Sequence, residues 1–97
     1  MKLWIATCEV SVEPGVLDSA RTVAFTNVVT WGETSEDALA RIRNCFKEYQ
    51  WTFIGCEQID PVNPEKDYGD SLNDLIDRAT DNPKAVIYGT FHTYKSN

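Results

Sequence analysis

The sequence predicts a single α+β domain, a two-layer sandwich in which a four-stranded sheet carries two helices on one face, in the order β-β-α-β-α-β. Three observations carry that expectation. Four runs rich in β-branched and aromatic residues are separated by Gly, Pro and Asn turn signals. Two other stretches repeat apolar side chains at helical spacing. Between Val28 and Asp60 a β-rich run ends at Trp31-Gly32, a capped helix follows, and a second β-rich run starts at Trp51 with almost no linker. The 97 residues suffice for one domain spanning 1–97 and are too few for two.

The first strand is expected from Lys2 to Glu13, around Leu3, Trp4, Ile5, Val10 and Val12, and it stops at the turn signal Glu13-Pro14-Gly15. Val16 to Ala20 links it to a second strand, Arg21 to Trp31. There Val23, Phe25, Val29 and Trp31 share one side, and Thr22, Thr26 and Thr30 the other, with Asn27 interrupting the apolar side. The two are expected to pair as an antiparallel hairpin.

Thr34 opens a helix from about Ser35 to Tyr49: its hydroxyl is placed to accept from the Asp37 amide, and Glu36 and Asp37 suit the positive end of the helix dipole. Ala38, Leu39, Ile42, Cys45, Phe46 and Tyr49 recur at helical spacing. The third strand is expected from Trp51 to Ile59, before a polar loop opened by Asp60-Pro61. Ser71 with Asp74 repeats the short capping pattern, and Leu72, Leu75, Ile76 and Ala79 form a second apolar stripe that Asn82-Pro83 terminates. Ala85 to Tyr94 supplies the last strand. With both helices on one side, the other face of the sheet is expected to be partly open. Trp4, Trp31, Tyr88 and Tyr94 are the candidates to line it as binding residues.

Charge narrows the partners. Fifteen acidic against nine basic side chains give a formal net charge of −6. That balance disfavours nucleic acid, because phosphate neutralisation needs clustered Lys and Arg, and it permits a basic protein partner, the ordinary alternative being that the charge only keeps a small protein soluble. No apolar run approaches the roughly 20 residues of a membrane helix, and the N-terminus lacks a secretory pattern, so a cytoplasmic location is expected. Cys8, Cys45 and Cys56 are odd in number and lack metal-ligand spacing, which fits reduced thiols and no metal or other cofactor.

Several chemistries are open on paper. Cys56 and His92 both fall on expected strands, and a thiolate beside an imidazole is the usual activated cysteine. The ordinary alternative is a small buried thiol and a lone sheet histidine. Glu57 and Asp60 offer a general acid and base, or simply a solvated strand edge in an acidic chain. Asp67, Asp70 and Asp74 invite a calcium reading, yet the spacing lacks the alternating ligands with glycine at the sixth position, and helix capping accounts for them more simply. The five glycines stand apart, so no phosphate loop is present.

The segment Trp31-Gly32-Glu33-Thr34-Ser35-Glu36-Asp37-Ala38-Leu39 resembles the strand-turn-helix of HicB-type antitoxins, where a Gly-x-Thr turn leads into an acidic-capped helix. The resemblance covers under a quarter of the chain. It implies a small acidic protein that neutralises a toxic partner. Promoter binding is not carried over, because these 97 residues show neither the proline-rich approach to the turn nor a DNA-binding module after the resembling segment. The leading expectation is a non-enzymatic interaction domain, homodimeric through a sheet edge or the open face. The alternative is a small enzyme or ligand-binding domain with a pocket near Cys56, Glu57, His92 and Tyr94.

Overall fold

The structure, a computed structural model, describes residues 1–11 and 23–89 and the backbone of 92–93. The elements are β1 (Lys2–Ser11), β2 (Val23–Gly32), α1 (Ser35–Glu48), β3 (Thr52–Pro61), α2 (Asp70–Thr80), β4 (Val86–Tyr88) and β5 (His92–Thr93). The expected α+β order is therefore present. The last strand comes in two pieces, β4 and β5, both antiparallel to β2. Tyr94 and the expected hairpin connection around Pro14-Gly15 lie outside the described residues.

The central pair is the β1–β2 hairpin, in unbroken antiparallel register from Lys2 opposite Gly32 to Ser11 opposite Val23. β3 flanks β1 on one side and β4 flanks β2 on the other, giving the order β3-β1-β2-β4. Every pairing is antiparallel.

The helices do not share a face. Ala6, Cys8 and Val10 of β1, Val28 of β2 and Val86 and Tyr88 of β4 pack with Ile42 and Phe46 of α1. Their immediate strand neighbours Ile5, Val29 and Ile87 pack with Leu75 and Ala79 of α2. Successive side chains of a strand point to opposite sides, so α1 covers one face and α2 the other. The expectation of two helices on one side is corrected accordingly. The physical reason lies in the hairpin, whose runs Leu3-Trp4-Ile5-Ala6 and Val28-Val29 are apolar at consecutive positions and need cover on both sides.

The threonine side of β2 is the deeper one. Thr26 and Thr30 are fully buried beneath α1 with Ala24 and Val28. Their hydroxyls are satisfied by carbonyls flanking β4: Thr26 donates to Gly89 at 3.1 Å and Thr30 to Ala85 at 3.3 Å. Burial of these hydroxyls costs little because both bonds are made, and they fasten a three-residue strand at each end.

Local chemistry sets the helix ends. Thr34 accepts from the Asp37 amide at 3.2 Å, as its spacing predicts. A Cβ on Gly32 would stand 2.8 Å from the Ala38 nitrogen, so only glycine lets the end of β2 pass so close to the first turn of α1. At the other end the Gln50 amide donates to the Lys47 carbonyl and the Trp51 amide to that of Phe46, with Gln50 at φ 63°. This is a Schellman closure, completed by the Trp51 ring 5.5 Å from that of Phe46. It explains how β3 begins with no linker. The start of α2 differs from expectation: Gly69, at φ 91°, is the N-cap and makes no side-chain cap bond. Asp67 stabilises the approach instead, accepting from the Gly69 amide and the Asn73 amide group, both at 2.9 Å. Those donors hold its carboxyl below the usual range. Asp74 pairs with Arg78 at 3.6 Å rather than capping with Ser71.

Candidate interaction edge

The cysteine–histidine pair suggested by sequence is not assembled. Cys56 on β3 stands opposite Cys8 on β1, while the His92 backbone pairs with Phe25 on the far edge of β2. With β1 and β2 between them, the two backbones are three strand spacings apart, roughly 14 Å. The Cys56 thiol donates to the Gln58 carbonyl at 3.1 Å, and partial burial raises its pKa. Burial, assisted by the adjacent Cys56 thiol, pushes the Cys8 thiol up to about 12. These are protonated packing groups rather than a primed nucleophile. Burial likewise raises the Cys45 thiol, with the Glu48 charge adding to the effect.

Glu57 is exposed at a bulge of β3, and Asp60 accepts from the Gln58 side chain at 2.6 Å. The pocket expected around Cys56, Glu57, His92 and Tyr94 is thus divided between opposite edges for its described members. Among the described residues, Asp67, Asp70 and Asp74 belong to no cluster able to hold a metal ion.

The aromatic candidates are also divided. Trp4 donates from Nε1 to the Gly32 carbonyl at 3.0 Å, and Trp31 from Nε1 to the Ala79 carbonyl at 2.7 Å. Tyr88 stands edge-on to Trp51 at 5.3 Å and to Tyr49 at 5.8 Å. Trp4 and Tyr88 are on the α1 face by register, and Trp31 is on the α2 face. All three are half-buried, and they do not form one patch.

What the fold does assemble is a groove along β3. Among the described residues no strand lies on the outer side of β3, so its ten residues form an edge with no strand partner among them. Two register shifts against β1, between Thr7 and Cys8 and between Glu9 and Val10, leave Glu57 and Ile54 as extra residues. Ile54 is 49% exposed as a result of its place on this edge. On the face that α1 covers, between the helix and β3, is a groove of about 580 Å³ lined by Arg43, Lys47, Trp51, Phe53 and Ile54. The Arg43 guanidinium lies 5.1 Å from the centre of the Phe53 ring. The chain matches no known protein family, no curated protein and no solved structure.

Charge is distributed unevenly around this groove. Residues 60–81 carry seven carboxylates against Lys66 and Arg78. No carboxylate lines the β3 groove, whose two cationic side chains are exposed and form no ion pair among the described residues. Sequence reasoning missed Arg43, Lys47 and Ile54. The signal for the two cations was their i, i+4 spacing on α1. Nothing in the sequence marked β3 as an edge, because edge position follows from which strands pair.

Proposed function

We propose that the protein is a non-enzymatic interaction domain that engages a partner by strand addition at the outer edge of β3. The observation that carries this reading is the long edge with no strand partner among the described residues, beside an exposed Ile54 and a groove between β3 and α1. Main-chain hydrogen bonds supply affinity in such a mode and flanking side chains supply selectivity. The two bulges kink the edge and restrict it to a partner that follows the kink, which separates recognition from indiscriminate pairing. Homodimer formation through the same edge is one form of the reading. A cytoplasmic setting suits it, since the free thiols of Cys8, Cys45 and Cys56 persist where the environment is reducing.

A second reading draws on the acidic segment 60–81, where Glu65, Asp70, Asp77 and Asp81 are exposed carboxylates. It is a docking surface for a basic protein, in keeping with the antitoxin-like role that the segment Trp31 to Leu39 suggests. No helix of the described chain is long and apolar enough to cross a membrane.

The test compares Ile54→Glu with the double variant Asp77→Asn/Asp81→Asn in a pull-down and in molar-mass measurements. Edge recognition requires that Ile54→Glu abolish association while the acidic-surface variant retains it. The reverse pattern would replace the edge with the α2 side. An enzymatic activity destroyed by His92→Ala in a folded protein would overturn the non-enzymatic reading.

A further inference from the structure

We propose that the occupant of the β3 edge is an extended acidic segment of a partner polypeptide, with two carboxylates spaced two residues apart that meet Arg43 and Lys47. This inference rests on the edge reading and names its ligand. Arg43 and Lys47 are one helical turn apart, about 5–6 Å between Cβ atoms. Alternate side chains of an extended strand recur at roughly 6.7 Å and point to the same side, so two of them reach both cations from one added strand. Phe53 holds Arg43 from below, 5.1 Å from ring centre to guanidinium, and orders the fork that a carboxylate binds. Among the described residues no carboxylate lines the groove, and the exposed Glu57 and Asp60 lie farther along β3.

The chain's net charge of −6 repels an acidic ligand at long range. At physiological salt the screening length is about 8 Å, so the two cations within the groove dominate once the strand is seated. A basic segment meets the opposite situation, attracted to the molecule as a whole and to Glu57 and Asp60 farther along β3, but repelled where Arg43 and Lys47 line the groove. The groove therefore selects by charge against the molecule's own average, which an adventitious hydrophobic edge does not do.

The experiment uses the full chain, isotope-labelled for amide NMR, and a blocked nine-residue peptide alternating valine and glutamate. Peptides with every glutamate replaced by glutamine or by lysine serve as comparisons. The glutamate peptide is expected to shift the amides of residues 52–59 and to bind at least tenfold more tightly than either comparison. Arg43→Gln combined with Lys47→Gln is expected to remove that preference while circular dichroism stays unchanged, as both side chains are exposed. Equal or tighter binding of the glutamine or lysine peptide at β3 would overturn the acidic preference and leave the edge reading standing. Failure of all three peptides to shift β3 amides would overturn the edge reading itself. Concentration-dependent β3 shifts with a doubled molar mass and exclusion of the peptide would identify a second copy as the occupant and overturn the inference.

Discussion

The two faces of the β1–β2 hairpin are covered by different means. The α1 face is closed by a fourteen-residue helix. Its large fully buried side chains, Phe46 and Ile42, sit against the buried β1 and β2 positions, and Phe46 touches the rings of Trp51 and Phe53. The α2 face is covered by an eleven-residue helix. Leu75 and Ala79 are its buried residues, the surrounding Leu3, Ile5, Leu72, Ile76 and Ile87 are half-buried, and Trp31 ties its last turn to the sheet. Farther along the same face, Thr7 donates to the Asn27 side chain at 3.1 Å, a polar pair where a second apolar cluster would otherwise stand. The α1 face thus holds the main core, and the α2 face holds a satellite fastened at one end.

The largest effect expected from that contrast is at Phe46. Phe46→Ala should cost about 3–5 kcal/mol, measured by urea denaturation, because the cavity is lined by rigid sheet and rings. Leu75→Ala should cost about 2 kcal/mol, the low end for such a truncation, since neighbouring half-buried side chains can relax into the space. Equal losses at the two sites would break the distinction between core and satellite.

The α1 face should also carry an alkaline signature. The Cys8 thiol has a pKa near 12 in the fold against 9.0 when unperturbed, so its protonated form belongs to the folded state. Its stabilising contribution is complete below pH 9 and is lost as pH rises toward 12. In that window stability should fall more steeply than for Cys8→Ala, by up to about 1.4 kcal/mol per pH unit. Parallel slopes for the two proteins would show that this part of the face admits water.

Trp31→Phe keeps an aromatic ring but removes the five-membered part of the indole and with it the donor to Ala79, and should cost about 1–3 kcal/mol, hydrogen bond and lost packing together. Hydrogen exchange should speed up in α2 and stay unchanged in α1; acceleration in both helices would show that the faces unfold together. The smallest effect has the opposite sign. Gln50 occupies the left-handed position that closes α1, where glycine has no Cβ to strain. Gln50→Gly should therefore raise stability by roughly 0.5 kcal/mol, less than the full left-handed penalty because glycine also has more freedom to lose on folding. A loss of stability would show that the Gln50 side chain contributes to closing α1 over Trp51.

Much of this architecture is legible in local residues. Thr34 with Asp37 marks the start of α1, the apolar stripe through Ile42 and Phe46 marks its buried side, and Val23, Phe25, Val29 and Trp31 alternating with threonines outline β2. The candidate site was far less legible. Trp4 and Trp31 look like spare aromatics, yet each indole donates to a carbonyl more than twenty residues away. Cys56 and His92 look like partners because both fall on strands. Strand order, which depends on long-range pairing, puts them on different edges.

The sequence by itself determined the element types and order, because capping, periodicity and turn chemistry act over a few neighbouring residues. Only the tertiary structure decided that the helices lie on opposite faces, that Thr26 and Thr30 belong to the deepest layer, and that β3 is an edge beneath Arg43 and Lys47. Those outcomes depend on contacts between segments far apart in the chain. A threonine is indistinguishable from a solvent-facing one until the carbonyl that receives its hydroxyl has been brought beside it.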